Sequence, residues 1–254
     1  MRLSVGIALA GWLIGTGVSA AVAPAQPDVE GLLRRAFDNY RATTSQNQLT
    51  MTVHRAAWER RMQLTAQTRG TEDALVRFTA PAQEAGSATL KLGSETWLFN
   101  PKLNQVIKLP GSMLARSWMG SDYTYEDLAK SESVIDDFTH SLGPGRTEGG
   151  HGVWTVVCTP KPGAAVVWGR IDIDVRDDGV IAGETFFDQD LKPARRMSVD
   201  RIALLGGRNY PVSMTMHPSD EPASWTRVET SSARFNIALP ASLFTLSSLQ
   251  NPRS

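Results

Sequence analysis

The sequence predicts one large curved antiparallel β-sheet preceded by a single amphipathic helix. Three observations carry that prediction. The segment Asp28 to Thr44 repeats apolar residues at helical spacing; from Leu49 onward the period drops to two; and about eleven strand-like runs then follow one another through short turns. The 254 residues hold 41% apolar and 20% charged side chains, which is globular composition, and disorder is excluded as the general state. Lys+Arg and Asp+Glu are equal at 26 each, so the chain offers no basic footprint for nucleic acid or for an anionic membrane surface. Mean hydropathy of −0.22 argues against a multi-span membrane protein.

The first apolar run stands apart from the rest. Arg2 precedes an uncharged stretch from Leu3 to Val18 that ends in Val18-Ser19-Ala20-Ala21, the pattern of a cleaved secretory signal peptide over residues 1–20. Those 16 residues, rich in Gly and Ala, are short for a membrane anchor. Residues 21–27 read as a linker and 28–254 as one domain. Loss of Arg2 leaves 25 Lys+Arg against 26 Asp+Glu, so a lipid ligand would be held by apolar contact rather than by a basic surface. A lipid anchor would need a cysteine just after the leader, and the one cysteine, Cys158, lies far downstream. It has no disulfide partner within the chain and alternates with Trp154 and Val156 as a buried strand residue would.

In the helix, Val29, Leu32, Leu33, Ala36, Phe37 and Tyr40 form one face, Arg34, Arg35, Asp38 and Arg41 the other, and Asp28 is placed to cap the N-terminus. The first meander runs from Leu49, Met51 and Val53 through 62–68, 74–79, 88–92, 96–100 and 105–109, with Pro81, Gly86, Gly93 and Asn100-Pro101 as breaks. The second runs through 153–159, 166–175, 180–188, 195–204, 210–217 and 224–235, joined in part by Asp178-Gly179 and Gly206-Gly207. Ile171, Ile173 and Val175 alternate with charged residues, giving one dry face. Trp97-Leu98-Phe99 and Phe186-Phe187 are apolar on both faces, as expected of a sheet that is covered outside and encloses an apolar interior; a sandwich core or a subunit interface gives the same pattern, and periodicity alone does not separate these.

Between the meanders, residues 111–131 show no strand period but carry Met113, Leu114, Trp118, Met119, Tyr123 and Tyr125. A loop this long in a compact domain is often a lid, and such a set of large apolar groups must cover apolar surface. Whether it closes a pocket as a lid or fills the sheet as a permanent plug stays open at this level.

The run Trp118-Met119-Gly120-Ser121-Asp122-Tyr123-Thr124-Tyr125-Glu126-Asp127-Leu128 resembles the signature of a LolA-like branch of periplasmic outer membrane lipoprotein-sorting proteins. Thr96-Trp97-Leu98-Phe99-Asn100-Pro101 and Leu239-Pro240-Ala241-Ser242-Leu243-Phe244-Thr245 support the resemblance, which spans nearly the whole mature chain. It implies an unclosed antiparallel β-barrel with helices in its concave side and a cavity for acyl chains. It further implies a monomeric periplasmic carrier for lipoprotein or other lipid, partnered by an inner-membrane transporter of the ABC or RND type. The alternative is a lipid-sensing or lipoprotein-sensing regulatory module. The expected ligand-binding residues are Trp97, Phe99, Met113, Leu114, Trp118, Met119, Tyr123 and Tyr125.

Catalytic and metal patterns fail on spacing. His54, His140, His151 and His217 are dispersed, with no HExxH pair. Asp172, Asp174, Asp177 and Asp178 do not fit an EF-hand register, because Arg176 falls at the fifth position. Gly143-Pro144-Gly145 lacks a phosphate-binding spacing and reads as a turn-rich loop, and no GxSxG elbow occurs. Asp136-Asp137 could pair as acid and base, and two adjacent exposed carboxylates on a polar segment account for them equally well. The expectation is a non-enzyme with no metal and no cofactor.

Overall fold

The structure is a computed structural model that describes residues 27–129 and 133–250. The expected leader and most of the linker lie outside them. Helix α1 spans Val29–Arg41, and the Asp28 carboxylate accepts the Gly31 N–H at 3.0 Å as its N-cap. The helix ends short of the expected Thr44 because Ala42 turns into positive φ, with its N–H on Asp38 O.

The first meander comprises β1 (Thr44–Arg55), β2 (Trp58–Arg69), β3 (Asp73–Ala80), β4 (Ala88–Leu92), β5 (Glu95–Asn100) and β6 (Gln105–Lys108). Short helices α2 (Tyr125–Ala129) and α3 (Ser133–Asp136) follow. The second meander comprises β7 (Phe138–Glu148), β8 (His151–Pro160), β9 (Arg170–Arg176), β10 (Ile181–Phe187), β11 (Pro193–Leu205), β12 (Arg208–Pro218) and β13 (Trp225–Phe235), and the last helix is α4 (Leu246–Gln250). The order across the sheet is β6-β5-β4-β3-β2-β1-β13-β12-β11-β10-β9-β8-β7. Each meander pairs with its sequence neighbours, and the antiparallel β1–β13 pair joins the two halves. Edge strands β6 and β7 are not hydrogen-bonded to each other, so the barrel is unclosed.

The described residues form thirteen strands rather than about eleven, and the additional strand, β7, contains the Gly143-Pro144-Gly145 run that reads as a turn-rich loop in the sequence. The reason is the indole of Trp154. A Cβ on Gly145, opposite Trp154 across the ladder, would lie 2.8 Å from Nε1, and one on Gly152 would lie 2.7 Å from the ring. These glycines are there for close approach rather than for turning, and the strand bulges between Leu142 and Gly145. The β11–β12 turn matches expectation, with Gly206 and Gly207 both at positive φ.

Two buried clusters occupy the concave side. Leu32, Leu33, Ala36 and Phe37 of α1 pack on Ile171, Ile173, Val175, Met197 and Met216, while Met51, Val53, Met62, Leu64 and Phe78 pack around Trp118. A third lies on the opposite face of the first meander, where Leu75, Ala88, Leu90 and Phe99 are covered by Phe244 and Leu249. The sheet is therefore dry on both sides there, as the Trp97-Leu98-Phe99 run predicts.

Candidate functional site

The concave face encloses a cavity of about 310 Å3, at the lower end of ligand-pocket sizes of roughly 300–1,000 Å3. One wall is apolar and comes from alternate residues of β9 to β12: Ile171, Ile173, Ile181, Phe186, Met197, Met214 and Met216. The facing wall carries Leu49, Met51, Leu64 and Val76 of β1 to β3. Farther along it, register aligns Ser45, Thr68, Ala74, Lys91 and Thr96 across five strands. Within that row the Ser45 and Thr68 hydroxyls are 2.7 Å apart, and the Lys91 ammonium donates to Thr71 O and Glu72 O. Phe37 and Tyr40 of α1 cover one side, and Trp118, Tyr123 and Leu128 cover another.

The Trp118–Leu128 run folds as its residues dictate. Met119 and Gly120 both take positive φ, and Ser121 N–H returns to Trp118 O at 3.0 Å, closing a tight turn of the kind that needs two left-handed residues. Trp118 N–H then donates to Tyr123 O, and Ser117 bridges to Thr124. Thr124 caps α2 reciprocally: its Oγ1 accepts the Asp127 N–H, while its own N–H donates to Asp127 Oδ2 at 2.7 Å.

Three arginines pin the segment to the sheet. Arg55 on β1 pairs with Asp122 at 2.9 Å, and the Asp122 carboxylate also accepts the Thr226 hydroxyl at 2.6 Å. Arg195 on β11 holds both oxygens of Asp127, at 2.8 and 2.5 Å, and donates to Asp122 O. Its guanidinium lies over the rings of Trp168 and Phe186. Arg60 donates to Met119 O.

The structure separates the eight residues expected from sequence. Trp118 and Tyr123 line the cavity. Met119 and Tyr125 pack behind Trp118, and Met113 and Leu114 are half-buried at the entry to the segment. Trp97 and Phe99 stand on the other face of the sheet, beside Leu90 and Ala88 and beneath the C-terminal turn, because alternation places Thr96 inward. Cys158 is fully buried, and burial pushes its thiol up. His54 meets Glu59, His140 meets Glu30 and Val134 O, and His151 meets Asp177, at three separate places; among the described residues no histidine lines the cavity. His151, Asp177 and Asp178 come together, yet Asp177 accepts from His151 and Gly152, and Asp178 accepts from Arg176 and Asn209.

Sequence reading missed Glu184 altogether. It lines the cavity and sits opposite Ile173 on β9 and Met197 on β11. Burial raises its carboxyl to about 7; the Asp127 charge adds to the shift and Arg195 opposes it. Between pH 4.5 and 7 the folded state therefore holds a proton that the unfolded chain has lost, so this group's contribution to stability is greatest below pH 4.5 and falls as pH rises through 7. Glu184→Gln is expected to become the more stable form by roughly 3 kcal/mol above pH 7, with little difference near pH 4.5, in urea unfolding of both proteins. A difference that does not vary with pH would contradict this.

A family model described as "Uncharacterized protein" matches residues 70–251, well over half of the chain. A search of curated proteins finds no match. Among solved structures, a DUF1329 family protein from Desulfovibrio piger superimposes with a TM-score of 0.78 at 20% identity, covering 87% of this chain and 97% of that one. A putative outer membrane lipoprotein-sorting protein domain from Vibrio parahaemolyticus gives 0.75 at 17% identity, over 87% and 97%. A LolA superfamily protein from Nitrosomonas europaea gives 0.73 at 17% identity, over 87% and 99%. The chain belongs to the family of that model, and its fold is the unclosed LolA-like barrel of these structures.

Proposed function

We propose that the protein is a periplasmic carrier which shields an acyl chain of a lipoprotein or other lipid between an inner-membrane ABC or RND-type transporter and the outer envelope. The observation that carries this reading is the apolar cavity of the concave face, roofed by Trp118, Tyr123 and Leu128. An aqueous carrier must offset about 0.8 kcal/mol per methylene that would otherwise face water, which a wall of Ile171, Ile173, Met197, Met214 and Met216 supplies. The thioethers repack readily around chains of different shape. The leader-like N-terminus and the fold shared with a lipoprotein-sorting domain support the same location and role.

The test is native purification of the mature protein, mass spectrometry of its organic extract, and displacement of a fluorescent fatty-acid probe. Co-purifying lipid is expected, together with probe affinity that falls about tenfold in Tyr123→Ser, in line with the apolar area lost from the roof. Absence of both lipid and probe binding would remove the carrier reading. A stable complex with a membrane regulator in place of lipid would favour a sensory module.

A further inference from the structure

We propose that Glu184 receives the polar end of the carried molecule, which is an apolar chain bearing a hydrogen-bond-donating group, a hydroxyl or an amine, and not a free carboxylate. This rests on the carrier reading and narrows it.

Glu184 is an acid set in an apolar wall. Its cross-strand neighbours Ile173 and Met197 donate nothing, and it has no hydrogen-bond partner among the described residues. An unpaired carboxyl facing a cavity costs stability unless something in the cavity completes it. The side chain is directed inward by a backbone irregularity rather than by simple alternation. The β9–β10 register shifts between Ile181 and Gly183, so Ile181, Glu184 and Phe186 all line the cavity, while Ala182 and Thr185 lie on the outer face. Such a bulge re-aims a side chain, and here it aims a carboxyl.

The charges around Glu184 select against an anionic ligand end. Arg195 is the neighbouring cation, and its two terminal nitrogens are taken by Asp127 and Asp122 O, leaving only Nε. Arg195 and Asp127 balance each other, so a ligand carboxylate placed beside Glu184 would meet it as a second acid. The other charged residues of the cavity lining, Arg41, Lys91 and Glu126, are each engaged in interactions of their own, Lys91 with Thr71 O and Glu72 O. The other ionisable groups that act on or respond to Glu184 are Tyr40 on α1, Tyr123 in the roof and Cys158 on β8. Burial raises all three, so they stay protonated, and Glu184 is the group whose charge changes around pH 7. A ligand hydroxyl can donate to either form of the carboxyl; a ligand ammonium pairs with the ionised form.

The experiment uses the full mature chain and three chains of equal length, dodecanol, dodecylamine and dodecanoate, displacing N-phenyl-1-naphthylamine at pH 6 and pH 8. Wild type is expected to bind the alcohol and the amine about tenfold or more tighter than the carboxylate at pH 8, the size of one charge-assisted hydrogen bond. Glu184→Gln should lose the amine preference and keep the alcohol, Glu184→Leu should lose both, and dodecanoate should bind both variants better than wild type. Should either variant fail to fold by circular dichroism, wild type alone decides: from pH 6 to pH 8 amine affinity rises and carboxylate affinity falls. Chains that all bind with a ranking unchanged by substitution or pH overturn the proposal and leave the carrier reading standing. A carboxylate that binds best and ignores Glu184 places the polar end along the Ser45–Lys91 row and also overturns it. No displacement by any chain overturns the carrier reading, and this assignment with it.

Discussion

Replacing Arg195 with alanine is expected to lower folding stability by about 3–5 kcal/mol, the cost of leaving one partner of a buried ion pair behind. The Arg195 side chain is 6% exposed, and it alone joins three things: the Asp127 carboxylate, the Asp122 carbonyl, and the rings of Trp168 and Phe186. Its removal strips Asp127 of both guanidinium bonds while that carboxylate still caps α2 through the Thr124 N–H. At about 2–4 °C per kcal/mol for a chain of this size, the melting temperature should fall by about 10 °C. Arg195→Lys keeps the charge without the fork and should recover only part of the loss. Asp127→Asn removes the other partner, and the double variant should lose distinctly less than the two single losses added together. Limited proteolysis adds the local readout, since release of the clamp should expose the 117–128 segment to cleavage before the rest of the sheet. A loss under about 1 kcal/mol, in the range of a solvent-exposed pair, would mean that the clamp does not hold the segment.

How much of this was legible follows from what each feature depends on. The helix and most strands are local patterns: the α1 stripe and the Ile171-Ile173-Val175 alternation need only neighbours in sequence, and both appear as read. The turn, cap and roof of the Trp118–Leu128 run are local too, and that run stood out as a motif without its mechanics being visible. What failed depends on contacts across the sheet. Strand β7 looks like a loop because its two glycines make room for the neighbouring strand, Gly145 for the Trp154 indole and Gly143 for the Thr155 backbone. Trp97 and Phe99 lie on the outer face, and a run that is apolar on both faces does not say which face is which. The C-terminal segment that covers them, with Phe244 and Leu249, is about 150 residues away in sequence. Glu184 was hidden by the irregularity in β10, since strict alternation from Ile181 would turn it outward. The Arg195–Asp127 pair spans 68 residues, and no spacing rule connects them.

Trp118→Ala carries the second large effect, and it separates a wall of the cavity from a plug. The indole is 5% exposed, lies 5.4 Å from the Phe78 ring, and donates to Thr89 Oγ1 at 3.2 Å. It belongs at once to the cluster of Met51, Val53, Met62 and Leu64 and to the roof of the cavity. Truncation should therefore cost about 3–5 kcal/mol, as for other buried tryptophans, and join the vacated space to the existing cavity. Trp118→Phe keeps most of the ring and loses the bond to Thr89, and should cost about 1–3 kcal/mol. A permanent plug predicts stability loss and nothing else. A roof over a ligand predicts that an apolar chain fills the enlarged space and returns stability by mass action, about 2.7 kcal/mol at a hundred times its dissociation constant. Thermal unfolding of wild type and Trp118→Ala with and without saturating dodecanol distinguishes these. The expected result is a variant that is less stable without ligand and gains more from it than wild type does. If dodecanol stabilises wild type but leaves Trp118→Ala unchanged, the indole is a direct contact that the chain cannot replace; if it stabilises neither, Trp118 is packing alone.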